Sequence, residues 1–426
     1  MKKGMNKRFS FWQRSFGAIL VILIGSMLLA GCVKRAKPLT RPALDTPMSL
    51  EVAVRMIAFD LFAQISNQQK PAKKTLAEKM NAQQNQDDGK QPLVFSTDVV
   101  MNADTGEEIE LSAQINEIIK ATAGNSFPKF TVVEMNSTNI DQTNFVIIGV
   151  IKQEIYNNQP TKLPRLYLSA VDMKTGQVLA HSDVWFSQQD LKLLPTPLYS
   201  DSPMFIKDTR SEKVIATAQA NAGVAVDKEY LATMATNALL AEASKAYDSG
   251  NYPLAIELFN KAAAREDGQV MKTYAGLYQA YWKQKLMAEA EGAFGKLAEL
   301  GIRNGTLSVK FLFQVNDTNF FGQPEELAEY DIWLRQIAKK IIESQSCVEI
   351  SGHASHSGSA DYNKKLSDKR AHKIQKRLLD VSSAIAKKTS AVGRGFEENI
   401  VGTGTDDIRD AIDRRVVFRV LDCGAL

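Results

Sequence analysis

The sequence predicts a multidomain chain that mixes α/β and all-α parts: a small N-terminal α/β domain, middle helical hairpins and a C-terminal α/β sandwich. Three observations predict it. Between Leu93 and Trp185, short apolar runs surround one helical segment and end in a tight turn. Between Tyr230 and Ile302 the chain becomes Ala-rich and repeats itself at an offset of 34 to 35 residues. From Leu307 to Leu421, strand-like and helix-like periods alternate. A length of 426 residues holds two or three such domains, and a composition of 44% hydrophobic and 23% charged residues excludes disorder as the main theme.

The chain opens on Met1-Lys-Lys-Gly-Met-Asn-Lys-Arg, cationic and without an acid, followed from Phe16 to Ala30 by a nearly unbroken apolar stretch. That pattern is a secretory leader, too short for the roughly 20 apolar residues of a spanning helix. It stops at Leu29-Ala30-Gly31-Cys32, which resembles the lipobox of bacterial lipoproteins. The resemblance implies that residues 1–31 are removed and that Cys32 becomes an acylated first residue, making outer-membrane lipid a partner. Val33 stands where an aspartate would favour inner-membrane retention, which points to the outer membrane, facing the periplasm. Residues 32–47, rich in Lys, Arg, Pro and Thr, read as a tether. Lys2, Lys3, Lys7, Arg8 and Arg14 leave with the leader, so the formal charge of +4 becomes about −1, 47 bases against 48 acids. Near-neutrality excludes nucleic acid as a partner of the whole chain.

In residues 48–208, Leu50 to Ile65 has helical spacing, and Asn67 to Gln91 is a polar stretch with the look of an exposed loop. Strands are expected at Leu93 to Phe95, Phe130 to Glu134, Phe145 to Ile155 and Leu166 to Asp172, with a helix from Glu107 to Ala123 between the first two. Asp172-Met-Lys-Thr-Gly176 makes a hairpin turn into Gln177 to Trp185. This order resembles the small α/β domain of the FlgO, LpoB and CsgG periplasmic lipoproteins. Leu191 to Asp208, with three prolines, reads as a loop. In residues 228–304, Ala246-Tyr247 returns as Ala280-Tyr281, and Ala255, Phe259, Lys261 and Ala263 return as Ala290, Phe294, Lys296 and Ala298. That resembles tetratricopeptide repeats, in which small residues let paired helices approach closely. Two repeats are fewer than a free-standing array needs, so they are expected to lean on a flanking domain or helix.

Residues 305–426 begin with an expected strand, Leu307 to Val315, and a helix opened by Pro324 and running to Glu343. A strand at Cys347 to Ser351, a helix at Tyr362 to Leu379, a strand at Ser390 to Phe396, a short helix at Asp406 to Asp413 and a closing strand at Val416 to Leu421 follow. Along this order stand Gly352-His353-Ala354-Ser355, then Tyr362-Asn363-x-x-Leu366-Ser367-x-x-Arg370-Ala371, then Asp413-Arg414-Arg415-Val416. These are similar to the signatures of the OmpA-like peptidoglycan-binding family that includes Pal and MotB. The resemblance implies a site for the diaminopimelate of the peptidoglycan stem peptide, built from His353, Ser355, Asn363, Arg370, Arg414 and Arg415. A guanidinium such as Arg370 suits bidentate capture of a carboxylate. The family's Asp, which accepts the ligand ammonium, is replaced by Ser355, and a lost charge-assisted bond costs about 1.5 to 3 kcal/mol. Asp413 stands where the family commonly has Asn.

The cysteines left beyond Cys32 are Cys347 and Cys423, at the start of one expected strand and just past the end of another; in an oxidising periplasm they are expected to pair. His353, His356 and His372 lack acidic or thiol partners by pattern, so no metal is expected, and His353 is expected to bond to backbone. Nor does any pattern place paired carboxylates, a nucleophile elbow or a cofactor motif, so the chain reads as no enzyme and as needing no cofactor. Two functions remain. One is a lipid-anchored scaffold that contacts the wall and recruits proteins of an envelope-spanning assembly of secretion, flagellar or pilus type. The other is a lipoprotein regulator of a peptidoglycan synthase or other wall enzyme, with the C-terminal domain binding protein.

Overall fold

A computed structural model describes residues 43–68, 92–158, 162–188, 191, 193–205, 207, 209–314, 316–321, 324–400, 402, 404 and 413–425. The leader, Cys32, most of the tether, the polar stretch after Gln68 and the short helix expected at Asp406 lie outside them. Among the described residues no helix is long and apolar enough to cross a membrane.

The first part is built around β-branched runs. Helix α1 (Leu50–Gln68) precedes β1 (Leu93–Asn102), α2 (Leu111–Ser126), β2 (Phe130–Glu134), β3 (Phe145–Ile155), β4 (Lys162–Asp172) and β5 (Gln177–Trp185). The sheet order is β2-β1-β3-β4-β5, with β1 parallel to both β2 and β3, and the later pairs antiparallel. Because side chains alternate along a strand, central β3 sends Phe145, Ile147 and Ile151 to one face and Val146, Ile148 and Val150 to the other. Helices α1 and α2 cover the first face. The second is covered by α4 (Thr209–Ala218), α5 (Lys228–Ala232) and the start of α6 (Met234–Asp248), which follow α3 (Pro197–Asp201). The hairpin turn at Gly176 needs φ of 67°, which glycine adopts without a Cβ penalty.

β1 is longer than its sequence suggests. Ser96, Thr97 and Asp98 break the apolar run, yet Ser96 is buried, its hydroxyl 2.5 Å from that of Thr143. The helix expected from Glu107 starts at Leu111, because Glu107 to Glu110 form a connection in which Glu107 and Glu108 are turned inward to Lys310 and Lys272. The stretch read as a loop after Leu191 contains α3 and then lies against β6 (Thr306–Val309): Phe205 N donates to Ser308 O at 3.0 Å, and Lys310 N to Pro203 O at 2.8 Å.

Four helices fill the repeat region: α6, α7 (Tyr252–Ala263), α8 (Met271–Lys283) and α9 (Met287–Arg303), each packed against the next. The repeat positions Ala255 and Phe259 on α7 and Ala290 and Phe294 on α9 are all buried. Their core continues without a break into the C-terminal part. On α10 (Pro324–Glu343), Trp333 stacks on Phe294 at 5.8 Å between ring centroids and donates to the Tyr278 hydroxyl at 2.7 Å. Arg335 grips Glu291 of α9 with two bonds of 2.8 Å. The helices lean on the C-terminal part through these contacts.

The remaining elements are β7 (Cys347–Gly352), α11 (Ala360–Val381), β8 (Thr389–Gly393) and β9 (Val416–Leu421). Their sheet runs β6-β9-β7-β8, with β7 and β8 parallel and the other pairs antiparallel. The strand expected over Leu307 to Val315 stops at Val309. Beyond it Lys310 turns to the Tyr199 carbonyl at 2.6 Å, and Phe311 and Phe313 enter the core, so that segment leaves the ladder. Cys347 and Cys423 are joined by a disulfide, with Cα atoms 5.1 Å apart.

Candidate functional site

The segment Gly352-His353-Ala354-Ser355 leaves the end of β7, where a pair of glycines sets the geometry. Gly352 and Gly393 are register partners on β7 and β8. A Cβ on Gly352 would stand 2.1 Å from Ser367 O, and one on Gly393 would stand 2.4 Å from Asp368 N. Helix α11 therefore lies directly on the two strand ends. Its N-cap is Ser359, whose hydroxyl accepts from Tyr362 N at 3.3 Å. Ser367 reaches across to accept from Gly395 N at 2.9 Å, and Asp368 from Gly393 N at 3.2 Å.

Around this junction the structure gathers most of the motif residues. Asn363 is buried and donates to Ser357 O at 2.5 Å and Ser359 O at 3.3 Å, holding the turn after Ser355. Ser355 is 5% exposed, its hydroxyl 3.4 Å from that of Ser357. Arg370 is 2% exposed, so it is no solvated helix residue. Its Nε donates to Asp317 O and its Nη2 to Gln314 O, both at 3.0 Å, while the guanidinium lies 5.0 Å from the centre of the Phe313 ring. The fork that the sequence offers to a ligand carboxylate thus reaches backbone carbonyls of the 314–317 loop.

Arg415 is also buried, and Nη2 donates to Glu398 O at 3.0 Å; Arg414 is half-buried. Asp413 is fully buried and accepts from Ile400 N at 2.6 Å and Gly402 N at 2.8 Å, two bonds that its carboxylate, unlike an Asn side chain, accepts with both oxygens. His353 departs from expectation. Its backbone N donates to Arg415 O at 3.0 Å, but neither ring nitrogen has a partner among the described residues, and the side chain is fully buried. Burial, reinforced by the charges of Arg415, Arg419 and Arg394, pulls its pKa down to about 3. The Glu398 carboxylate 3.9 Å away does not reverse this, being engaged by Arg419.

The sign follows. Unfolded His353 takes a proton near pH 6.5 and the folded one only near 3, so its contribution to stability is complete above pH 6.5 and is lost as pH falls toward 3. Relative to His353→Gln, the wild type should lose about 1.4 kcal/mol of unfolding free energy per pH unit between about pH 6 and 4. Urea titrations at several pH values read this difference; a pH-independent gap between the two proteins would rule out a buried neutral imidazole.

Sequence reasoning did not find the ion network beside His353. Arg394 donates to Glu349 at 2.6 Å, while Arg419, opposite Glu349 in the ladder, binds Glu398. Strand register, which needs the sheet order, brings Glu349 and Arg419 together, and the segment after β8 adds Arg394 and Glu398. His356 packs on Phe396 at 4.3 Å between rings. Among the described residues no group of His, Cys, Asp and Glu could hold a metal ion.

No curated protein matches the chain. Among solved structures it is similar to the cell wall anchor of the T6SS from Pseudomonas aeruginosa, at 23% identity and a TM-score of 0.23, over 27% of this chain and 80% of that one. It is similar to the peptidoglycan-associated lipoprotein from Burkholderia pseudomallei at 23% identity and a TM-score of 0.22, over 28% of this chain and 93% of that one. A third is the periplasmic domain of Helicobacter pylori MotB, at 14% identity and a TM-score of 0.22, over 27% and 74%. The model of the OmpA family matches residues 320–412, which span α10, β7, α11 and β8, and this segment is an OmpA-family domain.

Proposed function

We propose that the chain is an envelope lipoprotein that contacts peptidoglycan through residues 305–426 and holds partner proteins of an envelope assembly with residues 48–208 and the helical pairs of 228–304. The observation that carries this reading is the OmpA-family match together with the meeting of His353, Ser355, Asn363 and Arg415 around the end of β7 and the starts of β9 and α11, with Arg370 buried about two turns farther along α11. Acylated Cys32, left as the first residue once the leader of residues 1–31 is removed, supplies the lipid anchor. A second reading is favoured by two particulars: Ser355 brings no charge for a ligand ammonium, and Arg370 already donates to Gln314 O and Asp317 O. On that reading the domain binds protein and the chain regulates a peptidoglycan synthase or other wall enzyme.

Co-sedimentation with purified sacculi separates the two. Ser355→Asp should tighten binding by about tenfold or more, since a charged hydrogen bond contributes about 1.5 to 3 kcal/mol. Arg370→Ala should abolish it, with a thermal melt to show that the 314–317 loop has not taken the domain with it. Arg370→Lys keeps the charge without the fork and should fall between. If neither wild type nor Ser355→Asp sediments, the second reading stands. Metabolic labelling with a palmitate analogue should mark the wild type and spare Cys32→Ser; a labelled serine variant removes the anchor.

A further inference from the structure

Helix α11 carries eight basic side chains, and the structure gives partners to five of them. Lys364 pairs with Glu397 at 2.9 Å, Arg370 donates to the 314–317 loop, and His372 lies 3.3 Å from Asp368. Lys373 donates to Asn319 at 3.2 Å, and Arg377 pairs with Asp331. Lys365, Lys369 and Lys376 are exposed, and among the described residues no carboxylate lies within ion-pairing distance of them. These three, with His372, follow one another at steps of four, three and four residues, so they form a single stripe along the outer face of the helix. At 1.5 Å per residue the stripe runs for roughly 16 Å. The turn holding Ser355 and Asn363 lies at the N-terminal end of the same helix.

Placing Lys365 four residues before Lys369 is mildly destabilising for a helix, because like charges at that spacing repel. A solvated face is ordinarily built by alternating the two signs, as the rest of α11 does with its ion pairs. Three exposed lysines without an acidic partner among the described residues, on a mature chain of about zero net charge, suit a polyanion lying along the helix.

We propose that Lys365, Lys369 and Lys376 form an electrostatic contact for the carboxylates of the peptidoglycan network, extending the site at Ser355 and Asn363 along α11. The proposal rests on the wall-binding reading above. It adds a contact with neighbouring stem peptides that is independent of the one held at Ser355. Exposed ion pairs are individually weak and act through salt-dependent attraction.

The test is sacculus binding by the full mature protein at about 0.01 M and about 0.15 M salt, between which the screening length falls from roughly 30 Å to 8 Å. The triple variant Lys365→Gln, Lys369→Gln, Lys376→Gln should bind on the order of tenfold more weakly at low salt and show a flatter salt dependence, with an unchanged melting curve. Sacculi whose carboxylates have been amidated should bind wild type and triple variant alike. A triple variant that matches wild type in affinity and salt slope on native sacculi overturns the stripe and leaves the wall-binding reading intact. No sacculus binding by wild type or by Ser355→Asp at low salt overturns the reading itself. Loss of binding to anionic lipid vesicles, with none on sacculi, reassigns the stripe to a membrane and also counts against the proposal.

Discussion

Gly393→Ala is expected to destabilise the C-terminal domain by about 3 kcal/mol or more, the upper end of what overpacking costs. Neither Gly393 nor its register partner Gly352 has positive φ, so the effect is steric and not conformational. The added methyl at 393 would lie 2.4 Å from Asp368 N and 2.6 Å from Lys364 O, and both atoms belong to the backbone of α11. No side-chain rotamer can make room for it, so the helix must lift. Lifting breaks the bonds that Ser367 and Asp368 make to Gly395 and Gly393, and it withdraws Asn363 and Arg370 from the loops they hold. Gly292→Ala is the control: among the described residues nothing lies within 4 Å of the added methyl on α9, and an alanine there should stabilise by about 0.5 to 1 kcal/mol. Urea midpoints read both changes. A Gly393→Ala protein that unfolds at the wild-type midpoint would show that α11 does not sit on the strand ends.

The second large effect concerns the disulfide. Cys347 and Cys423 close a loop of 76 residues, and the chain-entropy relation gives such a loop roughly 4.5 kcal/mol. Measured losses on removing native bridges run at about 2 to 5 kcal/mol, so Cys347→Ala with Cys423→Ala should fall in that range. Alanine is the better substitute at 347, where the side chain is 1% exposed and a serine hydroxyl would be buried. Non-reducing peptide mapping should recover the two cysteines linked. Equal urea midpoints for wild type with and without reductant, or two freely alkylatable thiols in oxidised material, would sink this expectation.

Where an element is coded by its own residues, the sequence displays it. β2, β3, β5 and β9 have the bounds their apolar runs suggest, because each run ends at a turn or a polar cluster. β1 is under-read because Ser96 and Thr97 are buried by hydrogen bonding to distant Thr143 and Val133, a compensation invisible locally. The strand at Leu307 is over-read for the complementary reason. Its alternation continues past Val309, but Lys310 is drawn out of the ladder by Tyr199 and Glu107, more than a hundred residues earlier. At the site, the motif spacing puts Asn363 and Arg370 seven residues apart on the buried side of α11, and Asn363 holds the turn after Ser355. The spacing cannot show that the Arg370 fork meets carbonyls 314 and 317, which stand more than fifty residues before it. The imidazole of His353 is a similar case, since its three flanking arginines come from β9, from the residue just before it and from the segment after β8.

The pairing of residues 203–205 with β6 has a consequence for the order in which the chain can be finished. Delivered N-terminus first, Pro203 and Phe205 arrive about a hundred residues before their partners Ser308 and Lys310, and the four helices α6 to α9 follow in between. Helices complete their bonds locally and fast, whereas this late-arriving pair must await the whole helical block. Until they arrive, residues 203–205 are an unfinished seam, and β6 in turn waits for β9, which comes last. Expressed alone, residues 305–426 would expose the open margin of β6 to its own copies, a route to edge-to-edge aggregation, so the shortest well-behaved piece of this protein begins upstream of residue 203.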